Sequence, residues 1–288
     1  MKNSPLFGPG GNSVSFYNEG HKSTVEAPAW LAARGLDAYE FEAGNGLSTG
    51  EATLKKIGEA ARRHGIAMSL HAPYFISLCG ADPEKRMKSI QYVATSLAAA
   101  EHLGARTVVV HMGGVAKMSR EEGMRLSADT LYHLLEAIPD NGIAICLETM
   151  GKVNQLGTLD EVLELCAMAP GRLAPVVDFG HLNARECGHG GFLGKDDYMR
   201  VFDAIACALG DRAAIDLHAH FSKIEYTAAG EKKHLTFADT VYGPDPEPLM
   251  EAIAELGVMP TIICESDGTM AEDALAMKRY YQRIKEGV

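Results

Sequence analysis

Long apolar stretches are missing from this chain. No segment reaches the length needed to span a bilayer, and the first residues, Met1 to Gly11, lack the apolar run of a signal peptide. A soluble, cytoplasmic protein with no membrane partner is expected. The six cysteines form no Cys-x-x-Cys pair, which argues against both a zinc knuckle and a disulfide framework, so they read as reduced core residues. Neither a Gly-x-Gly-x-x-Gly nor a Walker sequence follows any candidate strand, and a nucleotide cofactor has no support. Linkers, repeats and low-complexity tracts are absent too, so the 288 residues read as one domain. Positive charge is also short: 27 Lys and Arg against 38 Asp and Glu leave a net charge of −11. That balance argues against a strongly electrostatic nucleic-acid binder, although bound divalent cations would offset it locally.

What the chain has is a regular series of short apolar runs within a composition that is 47% hydrophobic. Candidate strands fall at about Leu6 to Gly8, Ala38 to Glu42, Met68 to His71, Thr107 to His111, Ile143 to Glu148, Pro175 to Asp178, Ile215 to His220 and Thr261 to Glu265. Runs this short, rich in Val and Ile and without alternation, read as parallel strands buried on both faces. A helical stretch follows nearly every one, which predicts a single-domain (βα)8 TIM barrel of the α/β class. Helix starts are marked by Asp82-Pro83-Glu84 and by Ser or Thr three residues before Glu at Ser48/Glu51, Ser119/Glu122, Thr158/Glu161 and Thr269/Glu272.

Six of these runs end on a potential metal ligand: His71, His111, Glu148, Asp178, His218 and Glu265. One charged residue ending a buried strand is commonly a hydrogen-bonded cap. Six in phase are different, because the C-terminal ends of barrel strands converge on one open face, and unpaired charges there are costly unless they bind a metal. His181, in Asp178-Phe179-Gly180-His181, and His234, in the long segment after the seventh strand, extend the set. Imidazoles and carboxylates together suit Zn²⁺, with Mn²⁺ or Fe²⁺ as alternatives, and so many candidates exceed the needs of one tetrahedral ion. His220 shares strand parity with His218, so either can be the ligand; otherwise His220 faces substrate. His64, His102 and His133 lie in helical stretches and read as solvated, His21 as a surface residue and His189 as a loop residue. Lys223, Lys232 and Lys233 form a basic patch that fits either phosphate binding, with Lys223 as the substrate contact, or a solvated loop.

From about Leu36 onward the chain resembles the endonuclease IV family of apurinic/apyrimidinic endonucleases, within the xylose-isomerase-like barrels. The matching pieces are His71-Ala72-Pro73-Tyr74, Val110-His111-Met112-Gly113, Leu147-Glu148-Thr149, Asp178-Phe179-Gly180-His181, His218-Ala219-His220 and Cys264-Glu265-Ser266. Each is short, but their order and spacing as a set are specific. The resemblance implies that Glu148 bridges two metals, with His71 and His111 on the first and Asp178, His218 and Glu265 on the second. It places His181 and His234 on a third, Glu265 beside the attacking water, and Tyr74 against DNA. Two departures stand out. The family has an Asp two residues before the residue matching His234, where this chain has Lys232, with Glu231 the nearest carboxylate. The loop Ala43-Gly44-Asn45-Gly46-Leu47-Ser48 lacks the side chains that the family inserts into DNA.

The expected function is therefore metal-dependent phosphodiester hydrolysis, with Glu148 and Glu265 catalytic, two or three zinc ions, and DNA at abasic sites or another phosphodiester as substrate. The alternative is a sugar isomerase or epimerase, which needs only Glu148, Asp178, one His near position 218 and Glu265 around a single divalent ion.

Overall fold

The computed structural model describes residues 4–186 and 191–287. The strands are β1 (Leu6–Pro9), β2 (Ala38–Glu42), β3 (Ala67–His71), β4 (Thr107–Val110), β5 (Ala144–Glu148), β6 (Leu173–Asp178), β7 (His218–Phe221), β8 (Lys223–Thr227), β9 (Gly230–Leu235) and β10 (Thr261–Cys264). Eight of them pair in parallel in the order β1-β10-β7-β6-β5-β4-β3-β2. The ends of that order meet: Asp37 N donates to Phe7 O (2.9 Å), Gly11 N donates to Glu40 O (3.0 Å), and Gly10 bridges Glu40 in parallel. The sheet is thus a closed (βα)8 barrel, as the alternation of runs predicts.

Closure depends on a missing side chain. A Cβ on Gly8 would lie 1.8 Å from the backbone oxygen of Ala38, so β1 and β2 can approach only because position 8 is glycine. Gly8→Ala is expected to destabilise the fold by about 3 kcal/mol, the upper part of the range for overpacking, since backbone rather than a flexible side chain must yield. A chemical denaturation midpoint equal to that of the unmodified protein would refute this account.

Helices α1 (Val14–Asn18), α2 (Ala27–Ala33), α3 (Glu51–His64), α4 (Pro83–Leu103), α5 (Arg120–Ala137), α6 (Leu159–Cys166), α7 (Phe179–Arg185), α8 (Lys195–Leu209), α9 (Asp211–Ile215), α10 (Glu247–Leu256) and α11 (Met270–Glu286) accompany the barrel. Their apolar faces pack on the outward residues of the strands in one continuous core. The helix starts follow the sequence signals in part. Asp82 caps α4 through Glu84 N, Ser119 caps α5, and Thr158 with Glu161 completes a capping box on α6. Ser48 plays no such role, because α3 begins after Gly50, and the Thr269 hydroxyl bonds Asp273 instead of capping the backbone. None of the described helices is long and apolar enough to cross a membrane.

Alternate residues of each parallel strand point into the barrel. The lower inward positions include Glu40, Ser69, Val109, Cys146, Val176 and His218; Val109, Cys146 and Val176 form a small apolar cluster separate from the main core. Two residues further along the same strands come Glu42, His71, His111, Glu148, Asp178 and His220. This register corrects one expectation. The sequence pattern puts position 218 at a strand end, but residues 211–215 are helical and β7 only begins at His218. Pairing sets His218 opposite Val176 and His220 opposite Asp178, so His220 stands level with the strand-end ligands and His218 lies beneath them.

Candidate metal centre

The upper inward residues line or floor a pocket of about 700 Å³ at the C-terminal face of the barrel. Glu148 is its centre. The Glu148 carboxylate is fully buried, with His111 Nε2 at 2.8 Å, His71 Nε2 at 3.3 Å, His220 Nδ1 at 3.2 Å and His181 Nδ1 at 3.4 Å. Several groups of donor atoms here are close enough to share an ion, among them His71, His111 and Glu148; Glu148, Asp178, His220 and Glu265; and His181, Glu231 and His234. Asp178 offers Oδ1 to the His181 backbone N–H (2.7 Å), capping α7, while its Oδ2 is buried with no hydrogen-bond partner among the described residues and only His181 Nδ1 at 3.3 Å as an ion-pair neighbour. A buried carboxylate oxygen without a hydrogen bond in such a group fits cation binding, because desolvating that atom is costly unless it is paired. The donor set of nitrogens and oxygens suits zinc or a similar divalent ion.

Burial and crowding shift the protonation of these groups. Burial raises Glu265 to about 8, only partly countered by His220 and reinforced by the charges of Glu148 and Asp178. For Glu148 burial pushes upward too, but the charge of His111 and hydrogen bonds from His111, His181 and His220 hold it well below the usual carboxylate range. Burial disfavours a charged His71, yet its bond to Glu148 and the charge of Glu42 lift it to about 10. Burial lowers His111, and His234 is lowered by burial and by the nearby His181. Cations at these positions would replace such protons.

In the third group the nearby carboxylate is Glu231 and not residue 232. The segment after β7 is a hairpin, β8 and β9, tied to the β5 side by Glu231 N donating to Gly151 O (3.1 Å). Glu231 Oε2 reaches within 3.5 Å of His181 Nε2, whereas Lys232 pairs with Glu225. A Cβ on Gly151 would come within 2.6 Å of Glu231 Cβ, so the approach needs glycine there. A register irregularity between Glu225 and Tyr226 shifts the hairpin, which is why counting residues back from His234 does not identify the carboxylate.

Other expectations fare differently. Tyr74 sits on the rim, its N–H bonded to Gly44 O and its hydroxyl donating to Glu42 Oε2, each at 3.0 Å, and its ring stacks on His111. Lys223, the expected substrate contact, is instead buried away from the pocket, with Nζ on Asp239 O (2.7 Å) and Asp245 Oδ1 (2.8 Å). Of the basic patch, Lys233 lines the pocket, joined by Lys152. His218, the expected ligand, bonds Glu40 Oε2 at 2.8 Å below the site. His189 lies outside the described residues. Sequence reading missed Glu40 and Glu42, although two glutamates at alternate positions of an otherwise apolar strand are the signal that could have found them. Glu42 lines the pocket, and burial raises its carboxyl above the ordinary range.

Residues 28–281 match the sequence profile of the family described as Xylose isomerase-like TIM barrel. An uncharacterized protein of Methanocaldococcus jannaschii is 28% identical over 96% of each chain. A probable endonuclease 4 of Thermoplasma acidophilum is 26% identical over 75% of this chain and 76% of its own. Among solved structures, a D-tagatose 3-epimerase-like protein aligns with a TM-score of 0.71 at 20% identity, covering 98% of this chain and 99% of its own. Endonuclease IV from Thermus thermophilus aligns with a TM-score of 0.68 at 20% identity, covering 99% of this chain and 100% of its own. At such identities the two structures speak for the fold. With a family profile spanning nearly the whole barrel, the chain belongs to the xylose isomerase-like TIM barrel family.

Proposed function

We propose that this protein is a metal-dependent phosphodiesterase of endonuclease IV type, holding two or three divalent cations, with abasic-site DNA or another phosphodiester as substrate. The observation that carries this reading is the convergence of three donor groups around Glu148, including one built from His181, Glu231 and His234. A one-ion enzyme has no need of the third group. Cations held there would supply acidified water and positive charge to offset the phosphodiester. The chain's own residues do the rest. Glu148 holds the groups in one frame, Glu265 stands where it can help hold an ion and orient the attacking water, and Lys152 and Lys233 at the rim face an approaching anion. The relatives named probable endonuclease 4 support the same reading.

A second reading, sugar epimerase or isomerase, is favoured by one observation. Glu148, Asp178, His220 and Glu265 alone form a four-residue group able to hold an ion, and the nearby Glu42 Oε1 is buried with no hydrogen-bond partner among the described residues, free to accept a sugar hydroxyl. The test combines elemental analysis with turnover. Two or more metal equivalents and incision of a duplex carrying one abasic site, or hydrolysis within a panel of simple phosphodiesters, are expected. A single equivalent with ketose interconversion and no phosphodiester turnover would replace the reading. Because the Ala43 to Ser48 loop is bare, duplex affinity should be modest and its salt dependence shallow.

A further inference from the structure

The histidines of the centre share a feature beyond their ligand atoms. His71 Nδ1 lies 2.8 Å from Ala72 O, His181 Nδ1 lies 3.0 Å from Thr149 O, and His234 Nδ1 lies 2.9 Å from Ser222 Oγ. Each of these nitrogens thus has a neutral hydrogen-bond partner, although His181 Nδ1 also lies 3.3 Å from Asp178 Oδ2 and 3.4 Å from Glu148 Oε1. His220 differs: its Nδ1 faces Glu148 and Glu265, while its Nε2 faces the carboxylate of Glu40 at 2.8 Å. Glu40 Oε1 and His220 Nε2 are fully buried and lie 2.8 Å apart, yet neither makes a hydrogen bond of regular geometry among the described residues, so each needs the other or a ligand. The second oxygen of Glu40 accepts the Ser69 hydroxyl at 2.6 Å and is 2.8 Å from His218 Nε2.

We infer that Glu40, braced by Ser69 and His218 inside the barrel, is a positioning residue that fixes His220 with its proton on Nε2 and its Nδ1 lone pair toward the ion shared with Glu148, Asp178 and Glu265. A carboxylate behind a ligating imidazole sets its tautomer and orientation and raises its basicity, and losing such a partner costs about 10- to 100-fold in metal affinity. The geometry also gives His218 a purpose: it is the far end of a buried brace and stands two residues below the ligand it resembles in sequence. The lower mouth of the barrel, lined by His218 and Ser69, is where this brace meets the outside.

The inference rests on the metal-binding part of the proposed function and is independent of which reaction the site performs, so its test reads metal binding alone. Metal-free protein is titrated with Co²⁺ under absorption spectroscopy, comparing the unmodified protein with Glu40→Gln and Ser69→Ala. Glu40→Gln should weaken one equivalent by about 10- to 100-fold, shift its visible bands and leave the other equivalents and the circular dichroism unchanged; Ser69→Ala should act in the same direction by less. Long-range ¹H–¹⁵N spectra of the zinc-loaded protein should show His220 protonated on Nε2, a readout that holds even if Glu40→Gln fails to fold. A His220 proton on Nδ1, or unchanged affinities in both variants, would overturn the inference. So would the loss of an additional equivalent in Glu40→Gln, which would place an ion between Glu40, His218 and His220. If Co²⁺ does not bind the unmodified protein at all, the metal-centre reading itself fails.

Discussion

Glu148→Gln is expected to lower phosphodiester hydrolysis on the order of a thousandfold, since stabilisation of transition-state charge by clustered cations contributes several kcal/mol and about 1.4 kcal/mol is tenfold in rate. The reason is geometric. The carboxylate is within 3.4 Å of imidazole nitrogens from His71, His111, His181 and His220, so removing its charge weakens every group that shares it, where a change at His234 touches one. Substrate affinity should fall much less than turnover. The check is kcat and KM on whichever phosphodiester the unmodified enzyme cleaves best, with metal content measured on the same samples. Turnover within tenfold of the unmodified enzyme would remove Glu148 from the centre of the mechanism, and Glu148→Asp, which keeps the charge, guards against a folding defect.

Metal loading is expected to change stability nearly as much, in a pH-dependent way. In the metal-free protein, Glu265 is raised from 4.5 to about 8 and His71 from 6.5 to about 10. For both, the folded state binds a proton that the unfolded chain releases, so stability declines as pH climbs, from about 4.5 to 8 for Glu265 and from about 6.5 to 10 for His71. Glu148, held well below its usual range by its histidines, acts in the opposite sense and loses its contribution as acid protonates it. Metal-free protein should therefore be most stable in mild acid. Cations bound at the proposed centre would displace the protons of Glu265 and His71 and should reverse the alkaline decline. One site at a thousandfold excess over its dissociation constant contributes about 4 kcal/mol, which for a chain of this size is a Tm rise of about 8–16 °C. Thermal unfolding with chelator and with Zn²⁺ at pH 6 and pH 8 measures both; a Tm indifferent to zinc at pH 8 would show that the buried groups are not a metal centre.

The barrel was legible in the order of residues because parallel strands buried on both faces leave a one-dimensional signature. Thr107–Val110 and Thr261–Cys264 are apolar almost throughout, and capping residues such as Asp82 and Thr158 mark where helices begin. Candidate donors at strand ends were legible for the same reason: His71, Glu148 and Asp178 each close a run of apolar residues, and a charge in that place needs a partner.

Whatever depended on register or on a loop's path was decided by tertiary structure. His218 and His220 have the same parity on one strand, so local pattern cannot separate them; pairing with Asp178 does, because hydrogen-bond register fixes height in the barrel. Glu231, and not Lys232, is brought beside His181 by an irregular hairpin docked on Gly151, an arrangement made by contacts between segments far apart in sequence. Lys223 looked like a phosphate ligand beside other lysines, and only the packed structure shows it spent on Asp239 and Asp245. The sequence by itself determined the barrel and most of the ring of imidazoles and carboxylates at its mouth, since periodic burial and the phase of charged residues are written locally. The tertiary structure decided which histidine reaches the centre, which carboxylate completes the third group and which glutamate stands behind His220, because these depend on distances between strands that no single strand encodes.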